Sequence, residues 1–142
     1  MLYGQELDKR YETQTADETQ LRALHAHKTG ALIVTAVRLG CAAGQGSDAL
    51  ENALARYADE LGLVFQITDD ILDVTSTTQE LGKPVGSDAA NEKTTFVSLY
   101  GLDGARQLAQ QHNAAALEAL QPLGETAEFM RMLAGQLLGR KQ

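Results

Sequence analysis

The stretch SDALENALARYADELGLVFQITDDILDV, residues 47–74, decides the fold. Its apolar positions Leu50, Leu54, Tyr57, Leu61, Val64, Thr68 and Ile71 advance by three or four, with Thr68 the one weak member. That spacing is the stripe of an amphipathic helix. Ser47 or Asp48 is placed to cap its start, because a side-chain oxygen there satisfies a backbone N–H that the helix leaves without a partner. The run ends near Val74, where Thr75, Ser76, Thr77 and Thr78 interrupt it.

The rest of the sequence agrees with this helix. Alanine and leucine are plentiful, aromatic residues make up 5% and there are two prolines, a composition that favours helix over strand. Residues 17–28 and 30–43 read as helices, with a kink at Gly30 rather than a break. Residues 75–91 read as a loop punctuated by Gly82, Pro84 and Gly86. Further helices are expected over 93–100, 102–120 and 125–138. No strand pattern, repeat or low-complexity tract is present, so the expectation is a single all-α domain over residues 1–142, built as a helical bundle.

Composition narrows the function. The 142 residues carry 12 Lys plus Arg against 19 Asp plus Glu, a formal charge of -7, which argues against a nucleic-acid binder. A single cysteine, Cys41, forms no internal disulfide and no cysteine-rich zinc site; it reads as a small core residue. The start, MLYGQELDKR, lacks the order of a signal peptide, and the longest apolar run, residues 31–37, is too short to span a bilayer. A soluble cytoplasmic protein is the expectation.

Chemistry concentrates in Phe65-Gln66-Ile67-Thr68-Asp69-Asp70-Ile71-Leu72-Asp73. On a helix Asp69 and Asp73 stack one turn apart, Asp70 lies almost as close to Asp73, and Gln66 falls one turn before Asp69 and Asp70. Like charges this close repel unless a cation sits between them, and oxygen-only ligands suit Mg²⁺. The plain alternative for such a cluster is a solvated helix face. Lys28 and Thr29, a lysine beside a hydroxyl at a kink, offer a charge and a donor to a phosphate. His25 and His27, two apart, face different sides of a helix and make a poor metal pair. His112 lies in a polar run and is expected to be exposed.

Several short motifs occur in a fixed order: Gly4-Gln5-x-x-Asp8, His25-x-x-Lys28-Thr29-Gly30, Phe65-Gln66-x-x-Asp69-Asp70-x-x-Asp73, Leu81-Gly82-Lys83 and Lys93-Thr94. Together they resemble the C-terminal half of a trans-prenyltransferase, most closely the bacterial farnesyl diphosphate synthases (geranyltranstransferases). The resemblance covers essentially the whole chain. It implies the second half of the isoprenoid synthase fold, a bundle of long helices around a deep cavity. Members of that family join isopentenyl diphosphate to an allylic diphosphate with Mg²⁺, held by two aspartate-rich motifs. Asp69, Asp70 and Asp73 match the second motif and would be metal ligands. Lys28, Thr29, Gln66 and Lys83 would contact the allylic diphosphate or support the developing carbocation, and Lys93 matches a further family lysine.

The departure from the family pattern is large. The first aspartate-rich motif, DDxxxxD followed by paired arginines, would precede Gly4-Gln5 and does not occur in this sequence; Asp17-Glu18 is no substitute. A fragment is therefore expected, with little or no synthase activity alone. Its exposed helix faces would drive a homodimer or larger assembly. Two readings compete with this one. One is a helical interaction module that kept the fold and lost the chemistry. The other is a terpene cyclase, which would not be expected to carry both Gly82-Lys83 and Lys28-Thr29.

Overall fold

A computed structural model describes residues 1–76 and 93–140. Six α-helices are present among them: α1 (Leu2–Arg10), α2 (Glu18–His25), α3 (Ala31–Ala43), α4 (Asp48–Thr75), α5 (Phe96–Ala119) and α6 (Glu128–Leu138). A single π turn, Ala26–Gly30, joins α2 to α3, and a 3₁₀ segment, Gln121–Ala127, leads into α6. No strand occurs among the described residues.

Local chemistry sets the helix starts. The Ser47 hydroxyl accepts from Leu50 N–H at 3.3 Å and opens α4. Asp17 and Gln20 form a reciprocal box at α2, with bonds of 2.8 and 3.0 Å, and Thr95 and Ser98 form another at α5.

The expected stripe on α4 is the spine of the molecule. Of its members Tyr57, Leu61, Val64 and Thr68 are buried and Leu50, Leu54 and Ile71 half-buried; Ile67 and Leu72, outside the expected stripe, are buried as well, and α5 packs against this helix. That close approach is possible because α5 turns Ala105, Ala109 and Ala116 inward, small residues one and two turns apart. One apolar cluster gathers Tyr57, Leu61, Leu120 and Ala134 at one end; the other holds Leu21, Ile67 and Phe96. Each large side chain fully buried there contributes about 1.5–3 kcal/mol. The Tyr57 hydroxyl donates to the Met130 carbonyl at 2.9 Å and ties α6 to the spine.

The differences from the sequence-based expectation have local causes. Residues 2–10, given no helix by periodicity, form α1. The expected kink at Gly30 is a π turn, which adds a residue without interrupting the helical path. The break expected between the helices over 93–100 and 102–120 is present: α5 consists of two helical runs that meet at Gly101, whose φ of 70° and ψ of 168° are non-helical and suit only glycine. His112 is not exposed. Its side chain is 16% accessible, with Nδ1 2.6 Å from Glu60 Oε2 and Nε2 3.1 Å from Arg22 Nη1. Cys41 is buried, as expected. Most of the expected loop, including Gly82, Lys83, Pro84 and Gly86, lies outside the described residues.

Candidate active site: a carboxylate and lysine cavity beside the π turn

A cavity of about 160 Å³ lies where α1, the π turn, α4 and the segment before α5 meet. Its charged walls are Asp8, Lys28, Asp69, Asp70 and Lys93, with the Gln66 amide between them. Helix α1 reaches this place because Gly4 has no side chain. A Cβ there would lie 2.3 Å from Lys28 N and 2.5 Å from His27 C, so only glycine lets α1 rest on the π turn.

That contact aligns Asp8 with two cations. Lys28 Nζ donates to Asp8 Oδ2 at 2.6 Å, and Lys93 Nζ lies 3.8 Å from Asp8 Oδ1 and 4.0 Å from Glu12 Oε1. Burial pushes the Asp8 carboxyl up, but the bonded Lys28 ammonium and the Lys93 charge outweigh it and hold the group below its ordinary value. Thr94 fixes the strand of chain behind Lys93, its hydroxyl accepting from Ala16 N–H at 3.0 Å.

The acids of the aspartate motif are not equivalent. Asp69 is half-exposed, and its Oδ1 is 3.1 Å from Arg140 Nη1. Asp70 is buried, and its Oδ2 accepts from Phe96 N–H at 2.8 Å, so the start of α5 holds it. Asp73, 1% exposed, borders an adjoining cavity that it shares with Asp70, Lys93 and Thr95. A wholly solvated acidic face is therefore not what these residues form. Among the described residues, no three carboxylate, imidazole or thiol groups are gathered as a ready-made metal site. The donors that Asp69 and Asp70 offer to the cavity are all oxygen, which fits Mg²⁺ rather than a softer metal.

Gln66, Asp69, Asp70, Lys28 and Lys93 are thus brought together. Thr29 is half-buried in the π turn but does not line the cavity, and Lys83 lies outside the described residues. Two cavity residues escaped residue-by-residue reasoning. Asp8 had a signal, its place in Gly4-Gln5-x-x-Asp8. His25 stacks on Phe96, with centroids 5.5 Å apart, and burial drops its ring to about 4, so it is neutral at pH 7. Gln66 offsets part of that shift without meeting either ring nitrogen in hydrogen-bond geometry.

Comparison with known proteins identifies the family of the chain. The family model for polyprenyl synthetase matches residues 1–132. The chain belongs to the polyprenyl synthetase family. Within that family it is 39% identical over 145 residues to the farnesyl diphosphate synthase of Haemophilus influenzae, covering 99% of this chain and 48% of the relative. Against the farnesyl diphosphate synthase of Escherichia coli the identity is 43% over 127 residues, covering 88% of this chain and 42% of the relative. The geranyltransferase of Helicobacter pylori, solved with magnesium and isoprenyl diphosphate, superposes with a TM-score of 0.80 at 34% identity, over 98% of this chain and 46% of that one. The geranylgeranyl pyrophosphate synthetase of Pyrococcus horikoshii gives a TM-score of 0.84 at 25% identity, over 99% and 55%. The polyprenyl synthetase chain described here therefore spans about half the length of the curated relatives it matches. Its all-α architecture is that of the isoprenoid synthases.

Proposed function

We propose that this chain forms the diphosphate-holding side of a trans-prenyltransferase cavity, one that condenses isopentenyl diphosphate with an allylic diphosphate when the fold is completed by a further segment. The observation that carries this reading is the meeting of Lys28, Lys93 and Gln66 with Asp69 and Asp70 around one cavity. Departure of diphosphate from an allylic carbon places negative charge on phosphate oxygens and positive charge on carbon. Lys28 and Lys93 meet the first, held in advance by Asp8, and the Gln66 amide beside them would contact the diphosphate or support the cation. Thr29 and Lys83 join this set by their place in the family motifs rather than by contact with the cavity.

Asp69, Asp70 and Asp73 would hold Mg²⁺, which when bound supplies charge neutralisation on the diphosphate oxygens. The chain's own contribution is to orient the anion and, through apolar walls such as Leu21 and Leu24, to keep water from the cation. No nucleic-acid role is part of this reading. A cytoplasmic location and a homodimer or larger assembly belong to it. The assembly is supported by exposed apolar residues, Leu32 and Leu39 on α3 and Phe129 and Met132 on α6. Alone, the chain is expected to bind but to turn over little or no substrate.

The test is titration with Mn²⁺ as a paramagnetic stand-in for Mg²⁺, in the presence of inorganic pyrophosphate. Asp69→Asn leaves the buried acids in place, so it should weaken Mn²⁺ binding while leaving the melting temperature within a few degrees. Unchanged Mn²⁺ binding would favour the non-catalytic interaction module.

A further inference from the structure

A separate cavity of about 190 Å³ lies where α4, α5 and the chain just beyond α6 converge. No residue that lines it also lines the cavity of the proposed diphosphate site. Its chemistry is lopsided. Arg106, Arg140 and Gln110 provide two guanidinium groups and an amide, Leu72 and Leu138 provide apolar wall, and no carboxylate lines it. Such a concentration of cationic donors is unexpected in a chain of net charge -7. The Thr68 hydroxyl on the same wall is buried and has no hydrogen-bond partner among the described residues.

The acids that pair with the two arginines lie outside the cavity and are easily given up. Arg106 Nη1 is 3.2 Å from Asp103 Oδ1, but the Asp103 side chain is 91% exposed, so water and salt screen that pair almost completely. Arg140 pairs with Asp69, itself half-exposed. Both guanidiniums can therefore turn to an incoming anion at small cost, and a phosphate presents a pair of oxygens that the planar guanidinium fork matches.

We propose that this cavity is a binding site for a phosphate ester with a short aliphatic chain. Arg106 and Arg140 hold the phosphoryl oxygens, Gln110 donates a further hydrogen bond, and the first carbons rest on Leu72 and Leu138. The cavity has room for the phosphate and the start of a chain. This site shares no lining residue with the proposed prenyltransferase cavity and touches it through the Arg140–Asp69 pair.

The experiment silences the other cavity first. The Lys28→Gln, Lys93→Gln double variant, in chelator to exclude divalent metal, is titrated calorimetrically with isopentyl phosphate and with inorganic phosphate. Saturable binding of isopentyl phosphate is expected, tighter than that of inorganic phosphate, and weakened about tenfold by adding Arg106→Gln. In the unsubstituted chain, the Gln110 side-chain amide signals should shift during the same titration, a readout that needs no variant to fold. Absence of saturable binding into the millimolar range, binding indifferent to Arg106→Gln, or unmoved Gln110 signals would each overturn the proposal. Equal affinity for inorganic phosphate would overturn its apolar component.

Discussion

Replacing Gly4 by alanine should damage the candidate site more than it damages the fold. The added Cβ would lie 2.3 Å from Lys28 N and 2.5 Å from both His27 C and Lys28 Cα, all backbone atoms that no rotamer change can move. Helix α1 must then back away from the π turn. Overpacking of this kind costs about 1–3 kcal/mol, while alanine returns up to about 1 kcal/mol of helix propensity over glycine. With that full return the net loss is at most about 2 kcal/mol, which for a chain of this size lowers Tm by up to roughly 8 °C. The functional effect is larger in proportion, because the Asp8–Lys28 bond of 2.6 Å is set by that approach and cannot survive a shift of about an ångström. Pyrophosphate affinity should fall about tenfold as Lys28 and Lys93 lose their common anchor. Gly40→Ala is the control: a Cβ there meets nothing within 4 Å, so this variant should melt at the same temperature or slightly higher, by about 0.4–1 kcal/mol. Thermal melts by circular dichroism and pyrophosphate titrations on both variants decide the matter. If Gly4→Ala and Gly40→Ala melt and bind alike, the close contact of α1 with the π turn does not position the lysines.

Other outcomes follow from the same structure. The buried ring of His25, lowered from an ordinary 6.5 to about 4, binds a proton more readily in the unfolded chain. Stability is therefore complete above about pH 6.5 and falls by about 3 kcal/mol as pH drops towards 4, and His25→Phe should flatten that slope in urea titrations at several pH values. Tyr57→Phe removes the 2.9 Å bond to the Met130 carbonyl, and denaturant midpoints should report a loss of about 1 kcal/mol. Arg140→Gln frees Asp69 of a cationic neighbour at 3.1 Å, so calorimetric Mg²⁺ affinity should rise by about two- to fivefold, the worth of a half-exposed ion pair.

Much of the fold is written in the spacing of residues 47–74, whose stripe faces α5 as its periodicity requires. The short helix α1 was less legible, because its burial rests on Gly4 and Leu7 rather than on a repeating apolar face. The break within α5 was legible at Gly101, where glycine takes a φ and ψ that no helix contains. In the candidate site, Gln66, Asp69 and Asp70 are neighbours by helical geometry alone. Their meeting with Lys28 and Lys93 is tertiary and became readable only through the family motifs. His112 was misjudged for a related reason: its polar neighbours in sequence say nothing of Glu60 and Arg22, which reach it from other helices. The division of the acids into half-exposed Asp69 and buried Asp70 and Asp73 depends on α5 packing over one side of α4, a contact that no local pattern encodes.

The central claim is that two lysines and an aspartate pair form one anion and metal site on this chain. Isothermal titration with an unreactive allylic thiodiphosphate, with and without Mg²⁺, tests it most directly. Binding should require both components and disappear in Lys28→Gln, with the cooperative melt of that variant retained. Equal binding without Mg²⁺, or binding that survives Lys28→Gln unchanged, would contradict it.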